Sequence, residues 1–208
     1  MDGHAHLIGY ADGLLEANLF GTTSWEEAVE RVVEHQAEWP SEWAVGRGWD
    51  QNDWDSQAFP DRAMLDAAFP DQPVALERID GHALVVNGEA LRRAGLLGGA
   101  IPVVEGGEVV LDAGGVPTGV LVDNACGLVS GIIPAQPESR RLEALMDAQM
   151  NLLAHGIVGV TDAGLSPAEI ERIDALQQSG DLKLRVNALV SASDENITWL
   201  VDSGRRIE

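Results

Sequence analysis

The sequence predicts an α/β fold: a parallel sheet with helices outside, read as an incomplete barrel or an incomplete open sheet. Three observations predict it. Apolar runs of strand length alternate with amphipathic helical segments along most of the chain. Those helical segments carry their own start and stop residues. The alternation is still running where "RRIE" ends the sequence.

Residues 1–6 read as a short strand ending at His4 and His6. "TTSWEEAVERVVEHQAEW" is a helix. Ser24 offers the N-cap, and Glu27 three residues on makes a capping box. Trp25, Ala28, Val29, Val32, Val33 and Trp39 recur at helical spacing, and Pro40 stops the run. Residues 43–49 read as a strand, 59–70 as a short helix between prolines, 73–79 as a strand, and 82–94 as a second long helix ending at Gly95. "IPVVEGGEVVLDAGGVPTGVLV" has a different texture. Its short β-branched runs, separated by Gly-Gly pairs, predict a hairpin or meander inserted in the alternation. From residue 138 the alternation resumes. A helix closes at Gly156, and "IVGVTDAG" is an apolar strand. The next helix has Ser166 at its N-cap, Pro167 at its first position and Gly180 after its end. "LKLRVNALVS" and "SDENITWLVDSG" add a strand and a helix.

The charge balance excludes one class of partner. Lys and Arg number 13 against 34 Asp and Glu, a net −21 spread along the chain, which argues against nucleic acid. Lys183 is the only lysine, a pattern that fits either salt adaptation or an acidic high-GC proteome. No stretch is long and apolar enough for a membrane span, so no membrane partner is expected. The chain shows no signal peptide, which favours the cytoplasm, although Met1 reads as a cut rather than a natural start. Cys126 is alone and forms no internal disulfide.

His4 and His6 are the first candidates for chemistry. At i and i+2 on a strand, both side chains share a face, and two imidazoles suit one zinc-like ion. A chance pair on an exposed terminus is the rival reading. His82 opens the helix that follows the 73–79 strand, a strand-to-helix junction where α/β proteins place ligand groups; a partly buried histidine satisfied by a backbone carbonyl is the alternative. Asp162 holds a similar junction, where a carboxylate could orient a ligand or a histidine or cap the turn, capping being the favoured role. Trp49, Asp50 and Trp54 follow a strand and could wall a substrate pocket or pack in the core. Asp123 is expected to cap the helix starting near Asn124. His35 and His155 read as structural, and Cys126 as an inert thiol.

"DGHAHLIGY" resembles the first metal-binding strand of the amidohydrolase superfamily. "GWDQNDW", "PVALERIDGHALVVNGEALRRAGL", "GGVPTGVLVDNA" and "GIVGVTDAG" follow in an order similar to the amidohydrolase 3 family, which includes N-substituted formamide deformylase-like enzymes. The resemblance implies a TIM-type (β/α)8 barrel with one or two divalent metal ions, usually zinc. It makes residues 1–208 the N-terminal part of that barrel, with a β-rich insertion over about 96–123. A flanking β-sandwich and the later strands would lie outside this chain. It also implies His4 and His6 as metal ligands. His82, Trp49, Asp50, Asp123 and Asp162 become substrate-pocket candidates, and the catalytic base falls beyond the C-terminus.

The implied activity is metal-dependent hydrolysis of carbon–nitrogen bonds other than peptide bonds, in amides or N-formyl and N-acyl amines, with a small-molecule substrate. The fragment alone is expected to be inactive. Its open strand edges are expected to drive self-association into a homo-oligomer. Two rivals stand beside this: a degenerate barrel that binds without catalysis, and a hydrolase of cyclic amides or esters.

Overall fold

The computed structural model describes residues 1–204; the reading placed on "RRIE" lies outside the described residues. In chain order the first half holds β1 (Asp2–Ala5), α1 (Leu7–Gly13), β2 (Ala17–Asn18), α2 (Trp25–Glu38), β3 (Ala44–Trp49) and α3 (Ala63–Ala68). Then come β4 (Val74–Arg78), β5 (Ala83–Val86), α4 (Gly88–Arg93), β6 (Gly107–Leu111), β7 (Pro117–Asp123) and α5 (Gly127–Ser130). The rest is α6 (Glu138–Ala154), β8 (Gly159–Leu165), α7 (Pro167–Ser179), β9 (Arg185–Val190) and α8 (Asp194–Asp202). These elements form two units, one made of Met1–Leu15 with the chain from Gln136 onward, the other of Glu16–Ala135.

The first unit contains the parallel sheet the sequence predicts. Its strand order is β1-β8-β9, all parallel, and α1, α7 and α8 each follow a strand. Leu7, Leu145, Ala148, Val160, Ile170 and Leu184 are buried together between the strands and their helices. The local signals behave as read. Ser166 and Glu169 form a reciprocal capping box at the start of α7, and Gly180 ends that helix in the left-handed conformation at φ 81°. His155 ends α6, its Nδ1 2.8 Å from the Asn151 carbonyl, a structural role as expected.

The Glu16–Ala135 unit departs from an all-parallel sheet. Six strands run in the order β2-β3-β4-β5-β7-β6; β2, β3 and β4 are parallel, and every remaining pairing is antiparallel. The segment read as one helix over 82–94 is instead a strand followed by a short helix. Only residues 79–82 separate β4 from β5, too short a link for a parallel crossover, so the chain turns back as a hairpin. Val85 and Val86 pair with Leu76 and Ala75, and this tertiary pairing outweighs helical spacing. Asn87, fully buried, then accepts from the Ala90 N–H and starts α4. The hairpin expected near 96–123 is present as β6 and β7, but it extends the same sheet through the β7–β5 pairing.

Both faces of this sheet are covered. Val74, Leu76, Ala83 and Val85 face one cluster with Trp49 and Leu65, while Ala75, Leu84 and Val86 face another with Trp43 and Leu91. Alternate residues therefore enter opposite cores, which is why these strands read as unbroken apolar runs. No described helix is long and apolar enough to cross a membrane.

Candidate metal centre

His4 lies in β1, and His6 follows it at the N-terminus of α1. Both side chains are exposed, with ring centroids 5.4 Å apart and planes at 89°. The His6 Nδ1 is 2.9 Å from the Ala163 carbonyl oxygen of β8. A carbonyl only accepts, so Nδ1 carries a proton in this contact and Nε2 is the ring nitrogen left to reach a metal. A second hydrogen bond of this kind orients histidines that bind metals. The donor set, two neighbouring imidazoles, fits a borderline-soft divalent ion such as zinc. Among the described residues no group of three His, Cys, Asp or Glu side chains is arranged to hold an ion.

Asp162, in β8 opposite Ala5, is 1% exposed. The expectation that it caps its own turn is corrected. Its Oδ2 accepts from the Ile8 N–H at 3.4 Å, and the Leu7 amide also faces it. His6, at the N-cap of α1, offers no side-chain cap, so a carboxylate 154 residues away serves that helix end. Burial pushes the Asp162 carboxyl above its ordinary value; the two backbone amides and the His6 ring oppose that shift. Asp162 thus holds the turn that carries His6, and has no surface to wall a pocket.

The remaining candidates lie in the Glu16–Ala135 unit. Trp49 is fully buried, its Nε1–H donating to the Leu76 carbonyl at 2.8 Å. It therefore belongs to the core and walls no substrate pocket. Asp50 accepts from the Asn52 backbone N–H at 3.0 Å, capping a short 3-10 turn, and pairs with Arg78 at 3.3 Å. The Asn52 hydrogen bond is the main cause holding its carboxyl below the usual range, with Arg78 adding to it. His82 does not open a helix; it lies just before β5, and its Nδ1 is 2.9 Å from Asp123 Oδ1. Asp123 makes no side-chain cap for the helical turn that follows, and its backbone stands at φ 49°, ψ −126°. Sequence reasoning missed this pairing, the service of Asp162 to α1, and Arg78, which joins Asp50 to Asp80. Each depends on strand register, for which residue spacing carries no signal.

Residues 1–206 match the amidohydrolase family. YtcJ of Bacillus subtilis, named as an amidohydrolase, is 35% identical over 167 residues, which are 80% of this chain and 31% of that protein. The N-substituted formamide deformylase of Arthrobacter pascens is 27% identical over 196 residues, 91% of this chain and 36% of that protein. A crystal structure of an uncharacterized metal-dependent hydrolase from Pyrococcus furiosus superposes with a TM-score of 0.64 at 26% identity, covering 98% of this chain and 39% of that one. The chain spans about a third of the length of the curated relatives it matches.

Proposed function

The chain belongs to the amidohydrolase family, and on that premise we propose that it forms part of a metal-dependent hydrolase acting on non-peptide carbon–nitrogen bonds. The fold reading that goes with it is a partial (β/α)8 barrel, to which β1, β8 and β9 with their helices would contribute. One observation carries the proposal: His6 is locked through Nδ1 onto the Ala163 carbonyl beside the perpendicular ring of His4. That leaves Nε2 of His6 as a donor to a divalent ion, and zinc suits two imidazoles better than magnesium or calcium does.

Bound there, such an ion supplies Lewis acidity toward a carbonyl oxygen and toward water. The chain's own residues supply position. Asp162 and the Ala163 carbonyl fix the turn and the ring of His6. N-formyl or N-acyl amines are the substrate class we favour, on the likeness to the formamide deformylase. Two histidines fall short of the three protein ligands that zinc catalysis generally uses, so the 208-residue chain alone should not turn over.

The test is to purify the complete reading frame containing this chain, measure its metal by mass spectrometry, and assay N-benzylformamide hydrolysis. We expect a stoichiometric divalent metal, activity abolished by chelator, and loss of both metal and activity in His4→Ala and His6→Ala. A metal-free product, or His→Ala variants that keep their metal, would overturn the assignment. Full metal content with no hydrolysis of formamides, but turnover of esters or cyclic amides, would overturn only the bond.

A further inference from the structure

A cavity of about 620 Å³ opens in the Glu16–Ala135 unit, between the start of α2 and the loop that follows β3. That volume suits a small organic ligand. Trp25, Trp54, Phe59 and Met64 supply its apolar wall. The Trp25 and Trp54 rings meet at 40° with centroids 5.8 Å apart. Behind them Trp49 stacks on Trp54 at 5.9 Å and meets Phe59 edge-on at 6.2 Å, so the wall is rigid. Phe59 leaves 47% of its surface open.

The charged groups have one sign. Glu26, Asp55 and Asp61 line the cavity, are exposed, and take part in no ion pair among the described residues. None of the lining residues is a Lys, Arg or His. Arg78 sits 5.9 Å from the Phe59 centroid and is already matched by Asp50 and Asp80; Arg62, between the lining residues Asp61 and Ala63, is matched by Asp66. The N-terminus of α2 also faces the cavity, and its positive end would invite an anion. Glu26, in the first turn and outside any ion pair among the described residues, sets a full negative charge against about half a positive one; Glu27 is already matched by Arg31.

We propose that this cavity binds small organic ammonium ions, quaternary or protonated amines with an apolar body. Electron-rich ring faces and unmatched carboxylates are the two components that recognise such cations, and here they share one concavity. The inference does not depend on the hydrolase reading, because its residues and its readout are separate from His4 and His6.

The experiment titrates the 208-residue chain with benzyltrimethylammonium in 0.15 M NaCl, following tryptophan fluorescence. That salt screens general attraction to a polyanion beyond about 8 Å. Benzenesulfonate and benzyl alcohol serve as matched anionic and neutral probes. We expect saturable binding of the cation, about 10-fold or more tighter than either control. The combined change Glu26→Gln, Asp55→Asn and Asp61→Asn, all at exposed positions, should weaken it roughly 10-fold, and Phe59→Leu roughly 3-fold. Absence of saturable cation binding, equal binding of the three probes, or a triple variant that binds as well as the parent each overturns the proposal.

Discussion

The imidazole of His82 and the carboxylate of Asp123 lie 2.9 Å apart, Nδ1 to Oδ1, across 41 residues of sequence. The β5–β7 pairing brings them together, with Ala83 opposite Val122, and the Asp123 N–H donates to the His82 carbonyl at 2.9 Å. Asp123 reaches this position at φ 49°, ψ −126°, a backbone region that glycine enters far more easily than aspartate. Backbone and side chain therefore act in opposite directions here. Asp123→Gly should stabilise the fold by about 1 kcal/mol, because relief of strain exceeds the loss of an exposed pair. Asp123→Ala keeps the strain and loses the pair, so it should be less stable than both. Urea unfolding ranks the three proteins, and nitrogen NMR should show the Nδ1–H tautomer of His82 weakened in both variants. A glycine variant no more stable than the alanine one would remove the strain argument.

Asp162 answers the free amides at the start of α1, whose N-cap residue His6 makes no side-chain cap. Asp162→Ala would leave those donors buried without an acceptor, at a cost of about 1–3 kcal/mol. Asp162→Asn keeps an oxygen in place and avoids burying a charge, so its stability should stay close to the parent. Amide exchange at Leu7 and Ile8 should rise in the alanine variant and not in the asparagine one. Equal exchange in the two variants would mean that the carboxylate does not hold this turn.

The sequence read most clearly where a signal is local. Ser24 donates its cap position as expected, its Oγ accepting from the Glu27 N–H at 3.1 Å, while the Glu27 carboxylate reaches Thr23 rather than the cap residue itself. Ser166, Pro167 and Gly180 bracket α7 where they should. The failures share one cause. Whether "ALVVN" is a strand, whether Asp123 caps or pairs, and which helix Asp162 serves all depend on which strands lie side by side. Register is a tertiary property, and the short turn at 79–82 decides much of it by forcing β5 antiparallel to β4. The histidine pair was legible as a candidate, but its lock onto Ala163 needed β1 beside β8.

Glu89 should give the acid limb of stability a visible component. Hydrogen bonds from Arg92 first and Arg93 next lower its carboxyl to about 2. A depressed carboxyl contributes stability that is fully present above its ordinary value of 4.5 and is lost as pH falls through about 2. Glu89→Gln removes that contribution at every pH. The variant should therefore be less stable than the parent at pH 7, with the gap closing as pH falls from 4.5 toward 2. Urea midpoints at pH 7, 4 and 2.5 measure it; a gap that stays constant with pH would show that Glu89 acts through packing rather than charge.

Cys126 should behave as a thiol that is hard to ionise. Burial is the main cause, with the negative charges of Asp123 and Glu77 adding to it, and together they push the group to about 11. The thiol also lies 3.4 Å from the Leu121 carbonyl, a contact only the protonated form can donate to. Alkylation needs the thiolate, so at pH 8 the reaction with iodoacetamide should run roughly 100-fold slower than for an ordinary exposed cysteine. The logarithm of its rate should climb with pH and show no plateau below pH 10. Asp123→Gly removes the stronger of the two carboxylate influences named here and should speed the reaction at fixed pH. A plateau near pH 9 in the folded protein would place the thiol in the ordinary range and show that neither burial nor Asp123 controls it.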